Sequence, residues 1–295
     1  MPITDTNFIE QMRAKQKEQM EALRQNIDEK ESTGNDLAVV ILAAGLGKRM
    51  KTPDKPKVMF EVCGKPMIQY VMELAVKLDP KIIIPIVGNH RELVIDFITL
   101  IFRRYIEPDE SSTVKAGTPE IKFAVQEEQL GTGHAIMQTE QLLKNFNGEV
   151  LILSGDVPLL KQETAEELIN EHYSNGNWAT LLTTVFKDPS GYGRIVRDDE
   201  DHFSKIVEDK DAAEEEKKIH EINPAIYIVN SKLLFDALKN IRPVNSQGEY
   251  YLTDIFNFIP KEKVGTVVTD DELEVTGVNS IEQLNEMEKY ITQNI

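Results

Sequence analysis

Cysteine is nearly absent from this sequence. The 295 residues hold one, Cys63, which excludes an internal disulfide framework and any thiolate-held metal cluster. Its expected setting is that of a small buried or half-buried side chain. Long apolar runs are missing too, and no window reaches the unbroken length of a membrane span. The N-terminus lacks the basic start and apolar stretch of a signal peptide, opening instead on Asp5, Glu10 and a polar run. The cytoplasm is therefore the expected compartment. Positive charge is short: 33 Lys and Arg face 50 Asp and Glu, a formal charge of -17. A net field of that sign repels nucleic acid and anionic membrane, so neither is an expected partner. There are no internal repeats.

What remains is the balance of an ordinary soluble globular protein, with 41% hydrophobic and 28% charged residues. At about 300 residues roughly three quarters of the extended-chain surface is buried on folding, so a core forms without covalent staples. Residues 1–36 stand apart. Phe8, Met12, Met20, Leu23 and Ile27 recur at helical spacing among Gln, Lys, Glu and Arg, and Ser32-Thr33-Gly34-Asn35-Asp36 closes the run. This predicts an amphipathic N-terminal extension that docks on the body or on a partner. From Leu37 the pattern changes. Residues 38–43 form a continuous apolar strand of the kind found in a parallel sheet covered on both faces. Residues 81–87, 121–126 and 150–154 read as further strands, with Pro85 marking an edge or an irregularity in the second. Helical patterns lie between them at 67–78, 92–105 and 132–143. Residues 107–119 read as a polar loop. Such alternation predicts right-handed crossovers and an α/β fold with a doubly wound, mostly parallel sheet. The second half is less regular, with strands expected at 178–186, 193–196, 206–208 and 225–229 and helices at 231–240, 251–258 and 280–291. We divide the chain into the extension 1–36 and a domain 37–291, itself split into halves 37–160 and 161–291, the latter adding a smaller mixed α+β lobe.

Against the acidic background the charge inverts once: Lys48, Arg49, Lys51, Lys55 and Lys57 fall within ten residues, opposed only by Asp54. Such a run is either a solvated face or an anion-binding loop. It follows the first strand through Ala43-Ala44-Gly45-Leu46-Gly47, where glycines let backbone amides approach a phosphate. The turn is not a dinucleotide fingerprint, since position 50 is Met. It is not a Walker A loop either, since Arg49 follows Gly47-Lys48. Arg grips phosphate oxygens in pairs, and Lys neutralises them as a point charge. Further on, Asp156 ends a strand at the carboxyl edge of the sheet. There it either starts a turn or offers magnesium the hard oxygen ligand it prefers.

Several blocks then resemble one family. Residues 42–67 (LAAGLGKRMKTPDKPKVMFEVCGKPM) resemble the signature of sugar-nucleotide pyrophosphorylases. So do 126–135 (QEEQLGTGHA), 153–159 (LSGDVPL), 189–195 (PSGYGRI), 207–212 (VEDKDA), 221–223 (EIN), 247–254 (QGEYYLTD) and 277–279 (GVN), in the family's order. Together they are similar to the uridylyltransferase domain of bacterial N-acetylglucosamine-1-phosphate uridylyltransferases, over about residues 38–290. The resemblance implies a Rossmann-like nucleotidyltransferase fold and transfer from UTP to N-acetylglucosamine 1-phosphate with Mg2+. Glucose 1-phosphate uridylyl transfer, or another sugar-nucleotide pyrophosphorylase reaction, is the alternative, and a non-catalytic nucleotide sensor on the same scaffold is a further one.

By the same resemblance Arg49 and Lys57 hold the triphosphate, and Asp156 and Asn279 bind magnesium. Leu42, Ala43, Ala44 and Gly45 flank the nucleotide, Gln126 and the Gly131-Thr132 turn contact the uracil, and Gly193, Glu208 and Asn223 contact the sugar. Read locally, Gln126 is equally a solvated residue at a strand end, and Asn279 equally a cap for the helix at 280–291. His134 reads as a helix-start residue without chemistry. Two departures are visible. Where the family pattern has Asn followed by a small residue and Gly, this chain has Asn223-Pro224-Ala225, which loses an amide donor and gains a Cβ. There is also no hexapeptide repeat before Ile295, so the expected protein lacks the left-handed β-helix, its acetyltransferase activity and its trimer contacts. Any homo-oligomer would form by another surface.

Overall fold

The computed structural model describes residues 36–45, 47, 50, 55–106 and 118–294. The amphipathic run of 8–27, Lys48, Arg49, Lys51 and most of the polar loop at 107–119 lie outside the described residues. In chain order the elements are β1 (Leu37–Leu42), β2 (Glu61–Val62), β3 (Lys65–Pro66), α1 (Met67–Lys77), β4 (Ile82–Val87) and α2 (Arg91–Ile101). There follow β5 (Glu120–Ile121), β6 (Ala124–Val125), α3 (Thr132–Met137), β7 (Glu149–Ser154), α4 (Gln162–Ser174) and β8 (Ala179–Val185). The chain ends with β9 (Gly193–Arg197), β10 (Phe203–Val207), β11 (Glu221–Asn223), β12 (Tyr227–Asn230), α5 (Ser231–Leu238), β13 (Val264–Val268) and α6 (Ile281–Asn294).

One large sheet runs through both halves in the order β10-β9-β11-β8-β12-β7-β1-β4-β5, with β13 on β8 and β6 on β4. Its first part is parallel: β1 pairs β4 on one side and β7 on the other, with Val40 opposite both Ile84 and Ile152. From β12 onward the pairings along that order are antiparallel, and β13 lies parallel to β8. The strand order reverses at β1, and in open α/β sheets the crevice beyond the carboxyl ends of the strands at such a point receives the ligand. Pro85 sits inside β4, opposite Ile41 of β1. Having no N–H, it cannot support a continuous ladder on its far side, and the third strand is broken there: β5 pairs Ile82 and Ile83, β6 pairs Ile86 and Val87. At the opposite edge, β10 carries a register shift between Phe203 and Lys205.

Alternate residues of β1 feed the two faces. Val39 and Ile41 join Ile68, Val71 and Met72 of α1, Val94 and Ile98 of α2 and Leu168 of α4. Ala38 and Val40 join Ile136 of α3, Leu233, Leu234 and Leu238 of α5, and Ile255 and Phe256. With both faces covered the strands read as unbroken apolar text, and the doubly wound expectation holds. A third cluster, Met50, Val62, Met67, Val278, Leu284 and Met287, fastens α6 against the β2–β3 hairpin.

Three local expectations change. The helix expected at 132–143 stops at Met137, because Gln138 Nε2 takes the His134 carbonyl (2.9 Å) and Thr139 Oγ1 takes that of Ile136 (2.8 Å). Residues 252–258 wind as a 3-10 helix. Cys63 is exposed rather than buried, since it occupies the β2–β3 turn with φ +51°.

Candidate functional site

The carboxyl ends of β1, β4 and β7 converge on the turn after β1, where space decides the residue types. A Cβ at Gly155 would lie 2.9 Å from the Leu42 carbonyl, and one at Gly88 would lie 2.8 Å from that of Ala44. Both distances are shorter than real Cβ contacts, so glycine is required on either side of this turn. The Ala43 N–H is used by Ile86 O at 3.0 Å, and the Gly155 N–H by Leu42 O at 3.0 Å. Above this floor opens a cavity of about 480 Å³. Of the residues singled out from the sequence, Leu42, Ala44, Gly45, Lys57, Gln126, Gly131, Thr132, Asp156 and Asn279 line it. Ala43 is buried behind it, and Arg49 lies outside the described residues.

At the cavity's cationic end Lys57 Nζ donates to Asp156 Oδ2 and, at 2.6 Å, to Asn279 Oδ1. These three side chains are 99 and 222 residues apart in sequence. The Lys57 side chain is 11% exposed and that of Asp156 26%, so the pair is screened from bulk water on most sides. Each member has its own support. Gly47, at φ +58°, lets the stem of Lys57 pass, because a Cβ there would lie 2.9 Å from Lys57 Cβ. The Val278 N–H donates to the Asp156 carbonyl at 2.9 Å, joining the loop before α6 to the end of β7. Asn279 Nδ2 donates to Gly277 O at 3.0 Å, and the Gly277 N–H donates to Tyr192 Oη at 3.1 Å. The cap of α6 is Ser280, whose Oγ accepts from the Gln283 N–H at 3.2 Å. That leaves the Asn279 carboxamide turned to Lys57, so its side chain is not the helix cap.

At the other end Gln126 is 4% exposed, so the solvated reading does not apply. Its Nε2 donates to Gly131 O at 3.0 Å and lies 3.2 Å from His134 Nδ1. The acceptor Oε1 is then the atom suited to a ring N–H. Gly131 has φ +113°, and a Cβ on it would meet the Tyr250 carbonyl at 2.5 Å. Tyr250 is strapped across this turn, donating to Leu130 O and accepting from the Gly133 N–H, each at 2.8 Å. Thr132 Oγ1 accepts from the Leu252 N–H at 3.0 Å.

Gly193, Glu208 and Asn223 do not line this cavity, but they adjoin it through Lys210 and Ala225, which do. Gly193 and Asn223 are partners in the β9–β11 ladder. Asn223 Oδ1 accepts from the Ala225 N–H (3.0 Å) and from the Tyr227 hydroxyl (2.9 Å). Ala225 takes φ +60°, a left-handed conformation that costs a residue with a Cβ about 1 kcal/mol. Burial raises the Glu208 carboxyl above its ordinary value, opposed by a 3.0 Å bond from Thr253 Oγ1 and reinforced by Asp254, Asp211 and Asp209. Burial, with Asp211, raises Asp254 as well.

A raised acid is at its most stable when protonated. The folded state is therefore favoured below the ordinary Glu value of 4.5 and loses that contribution as pH rises through the folded pKa. Glu208→Gln is expected to melt higher than the unsubstituted protein at pH 7–8, with the advantage closing as pH falls towards 4.5. Thermal melts across that range test this, and an advantage independent of pH would contradict it.

Several lining residues carried no role in the sequence reading: Gln129, Ser154, Lys210, Gln247 and Glu249. Lys210 Nζ donates to Gln247 Oε1, Gln247 Nε2 to Tyr251 Oη (2.8 Å), and Tyr251 Oη to Asp211 Oδ2 (3.0 Å). The blocks 207–212 and 247–254 contain these residues, but a loop-to-loop chain has no periodicity to reveal it.

The profile of the nucleotidyl transferase family matches residues 38–273. The bifunctional protein GlmU of Caldanaerobacter subterraneus subsp. tengcongensis is 45% identical over 262 residues, covering 88% of this chain and 52% of that protein. GlmU of Thermoanaerobacter pseudethanolicus is 46% identical over 261 residues, with the same two coverages. The chain thus spans about half the length of these curated relatives. Among solved structures, a UDP-glucose pyrophosphorylase complexed with UDP-glucose superposes with a TM-score of 0.67 at 17% identity. It covers 88% of this chain and all of that one, a likeness of fold. No helix among the described residues is long and apolar enough to cross a membrane.

Proposed function

This chain belongs to the nucleotidyl transferase family, and from that premise we propose that it forms UDP-N-acetylglucosamine and pyrophosphate from UTP and N-acetylglucosamine 1-phosphate. The observation that carries the proposal is the meeting of Lys57, Asp156 and Asn279 at one end of a 480 Å³ cavity whose other end holds Gln126 and the Gly131–Thr132 turn. A base fits one end and phosphates the other. The nucleotide-sugar relatives that the eight sequence blocks resemble supply the choice of UTP.

The reaction needs no strong base, because the attacking oxygen of the sugar phosphate is already anionic. That oxygen bonds the α-phosphorus, the bond to the β-phosphate oxygen breaks, and pyrophosphate leaves with the electron pair. The protein has to hold two repelling anions in line and offset the charge that develops. In our reading the amides of Gly45 and Gly47 and the ammonium of Lys57 take the triphosphate, a role the resemblance gives to Arg49 as well. Gln126 Oε1 and the narrow Gly131 turn admit a pyrimidine. Glu208 accepts from sugar hydroxyls, and Asn223 Nδ2 and the Gly193 amide donate to the sugar or its acetamido oxygen.

The residues also fit a divalent cation. A carboxylate and an amide carbonyl, both hard oxygen donors, already share one cation in the form of the Lys57 ammonium. Magnesium bound by Asp156 and Asn279 would supply Lewis-acid neutralisation of phosphate oxygens. We assign the protein to the cytoplasm on the same reading.

Glucose 1-phosphate as the acceptor is the second reading, favoured by one feature: Pro224 has no N–H, and Asn223 Oδ1 is already engaged beside the cavity. Pyrophosphate release across four nucleoside triphosphates and a panel of sugar 1-phosphates separates the two. The expected result is highest kcat/KM with UTP and the N-acetylated sugar, abolished by chelator. A higher kcat/KM for glucose 1-phosphate selects the second reading, and no release with any pair overturns both.

A further inference from the structure

We propose that Lys57 is a resident counter-ion for the Asp156–Asn279 oxygen pair, that a divalent cation must displace it to bind there, and that this displacement frees the ammonium for the triphosphate. The inference rests on the nucleotidyl transfer reading and concerns the order in which that site is assembled.

The argument begins with burial. Asp156 is about three quarters covered, and a carboxylate so placed is costly without a positive partner. Among the described residues, Lys57 supplies it, and the same ammonium takes the Asn279 carbonyl at 2.6 Å. Both oxygens proposed for a divalent ion are thus already turned to one cation. A dication added beside Lys57 would meet a like charge within about a hydrogen-bond length, whereas one replacing it would keep both oxygens satisfied. The local structure permits the replacement. Lys57 opens a 3-10 turn of three residues, and the root of its stem passes against Gly47. The end of its flexible four-carbon stem can move. Gly45, Gly47 and Lys57 line the same cavity, so the released ammonium stays beside the glycine turn where the phosphates are proposed to lie. Asp156 and Asn279, in contrast, are anchored through Val278, Gly277 and Tyr192 and are expected to stay in place.

The consequence is antagonism between Lys57 and metal in the absence of nucleotide. Mn2+ binding to the full chain without nucleotide, read by electron paramagnetic resonance, tests it in three proteins. Lys57→Met is expected to bind Mn2+ at least about tenfold tighter than the unsubstituted protein, and Asp156→Asn to lose the site. Equal or weaker binding by Lys57→Met, with the site lost in Asp156→Asn, overturns the displacement while leaving the site reading intact. Unchanged binding in Asp156→Asn overturns the metal site itself. Should Lys57→Met fail to fold, Lys57→Gln serves in its place, with the same tighter binding expected and the same result against.

Discussion

Asp156→Asn is expected to lower kcat/KM for nucleotidyl transfer by about a thousandfold or more, equivalent to roughly 4 kcal/mol of transition-state stabilisation. The substitution keeps the shape and removes the charge. The Asp156 carbonyl still receives the Val278 N–H, so the loop before α6 stays docked. What changes is the site's charge balance: Lys57, 11% exposed, loses its anion, and a divalent cation loses its one carboxylate among the proposed ligands. Most of the loss should fall on kcat, because the role proposed for this group is to offset charge that grows in the transition state. Pyrophosphate release with circular dichroism and a thermal melt as controls decides the matter. Activity within tenfold of the unsubstituted protein, in a folded variant, would remove Asp156 from the reaction.

Gly131→Ala is expected to have the largest effect of any single-methyl change near the site. At φ +113° and ψ 173° the residue occupies a region open essentially to glycine. An added Cβ would meet the Tyr250 carbonyl at 2.5 Å and its nitrogen at 2.8 Å, both backbone atoms already committed to hydrogen bonds with Gly133 and Leu130. Conformational strain and overpacking together should cost roughly 3 kcal/mol. For a chain of this size that lowers the melting temperature by roughly 5 °C. Since Gln126 Nε2 is bonded to the Gly131 carbonyl, the turn and the proposed base contact move together. KM for the nucleotide should therefore rise about tenfold, an energy of about 1.4 kcal/mol. Melting and nucleotide KM unchanged from the parent would show that the turn tolerates the Cβ and that the clash argument is wrong.

How much was legible depended on how local the determining physics is. β1, β4 and β7 were readable because strands covered on both faces must be apolar throughout, and that leaves a continuous run. Pro85 was readable as an irregularity, although not that it would divide the neighbouring strand into β5 and β6. β11, only Glu221–Asn223, is too short for any period to register, and its place is set by pairing with β8 and β9. The helix from Thr132 is shorter than its pattern predicts because nothing in its periodicity announces that Gln138 and Thr139 will claim carbonyls. Cys63 departs from its expected setting because composition reports how often a residue type is buried, whereas the turn at φ +51° puts this one outside.

The site followed the same division. The glycine turn and the basic run stood out by composition. Asn279 did not, and locally it competed with a capping role that the structure gives to Ser280. Its approach to Lys57, 222 residues away, is a product of the sheet and α6 together. Lys210, Gln247 and Tyr192 were invisible for a related reason: their partners lie on other loops, at distances no window can span.

The broken third strand has a consequence for behaviour in solution. A sheet that ends in a long flat strand offers its free amides and carbonyls to any neighbouring chain, the usual route to edge-on aggregation. Here the β5–β6 edge ends in two-residue fragments and the β10 edge is kinked by a shift of register. Neither presents a continuous template, and mutual repulsion between bodies of charge -17 keeps them further apart. Crowded preparations of this protein should accordingly stay free of assemblies paired through these two edges.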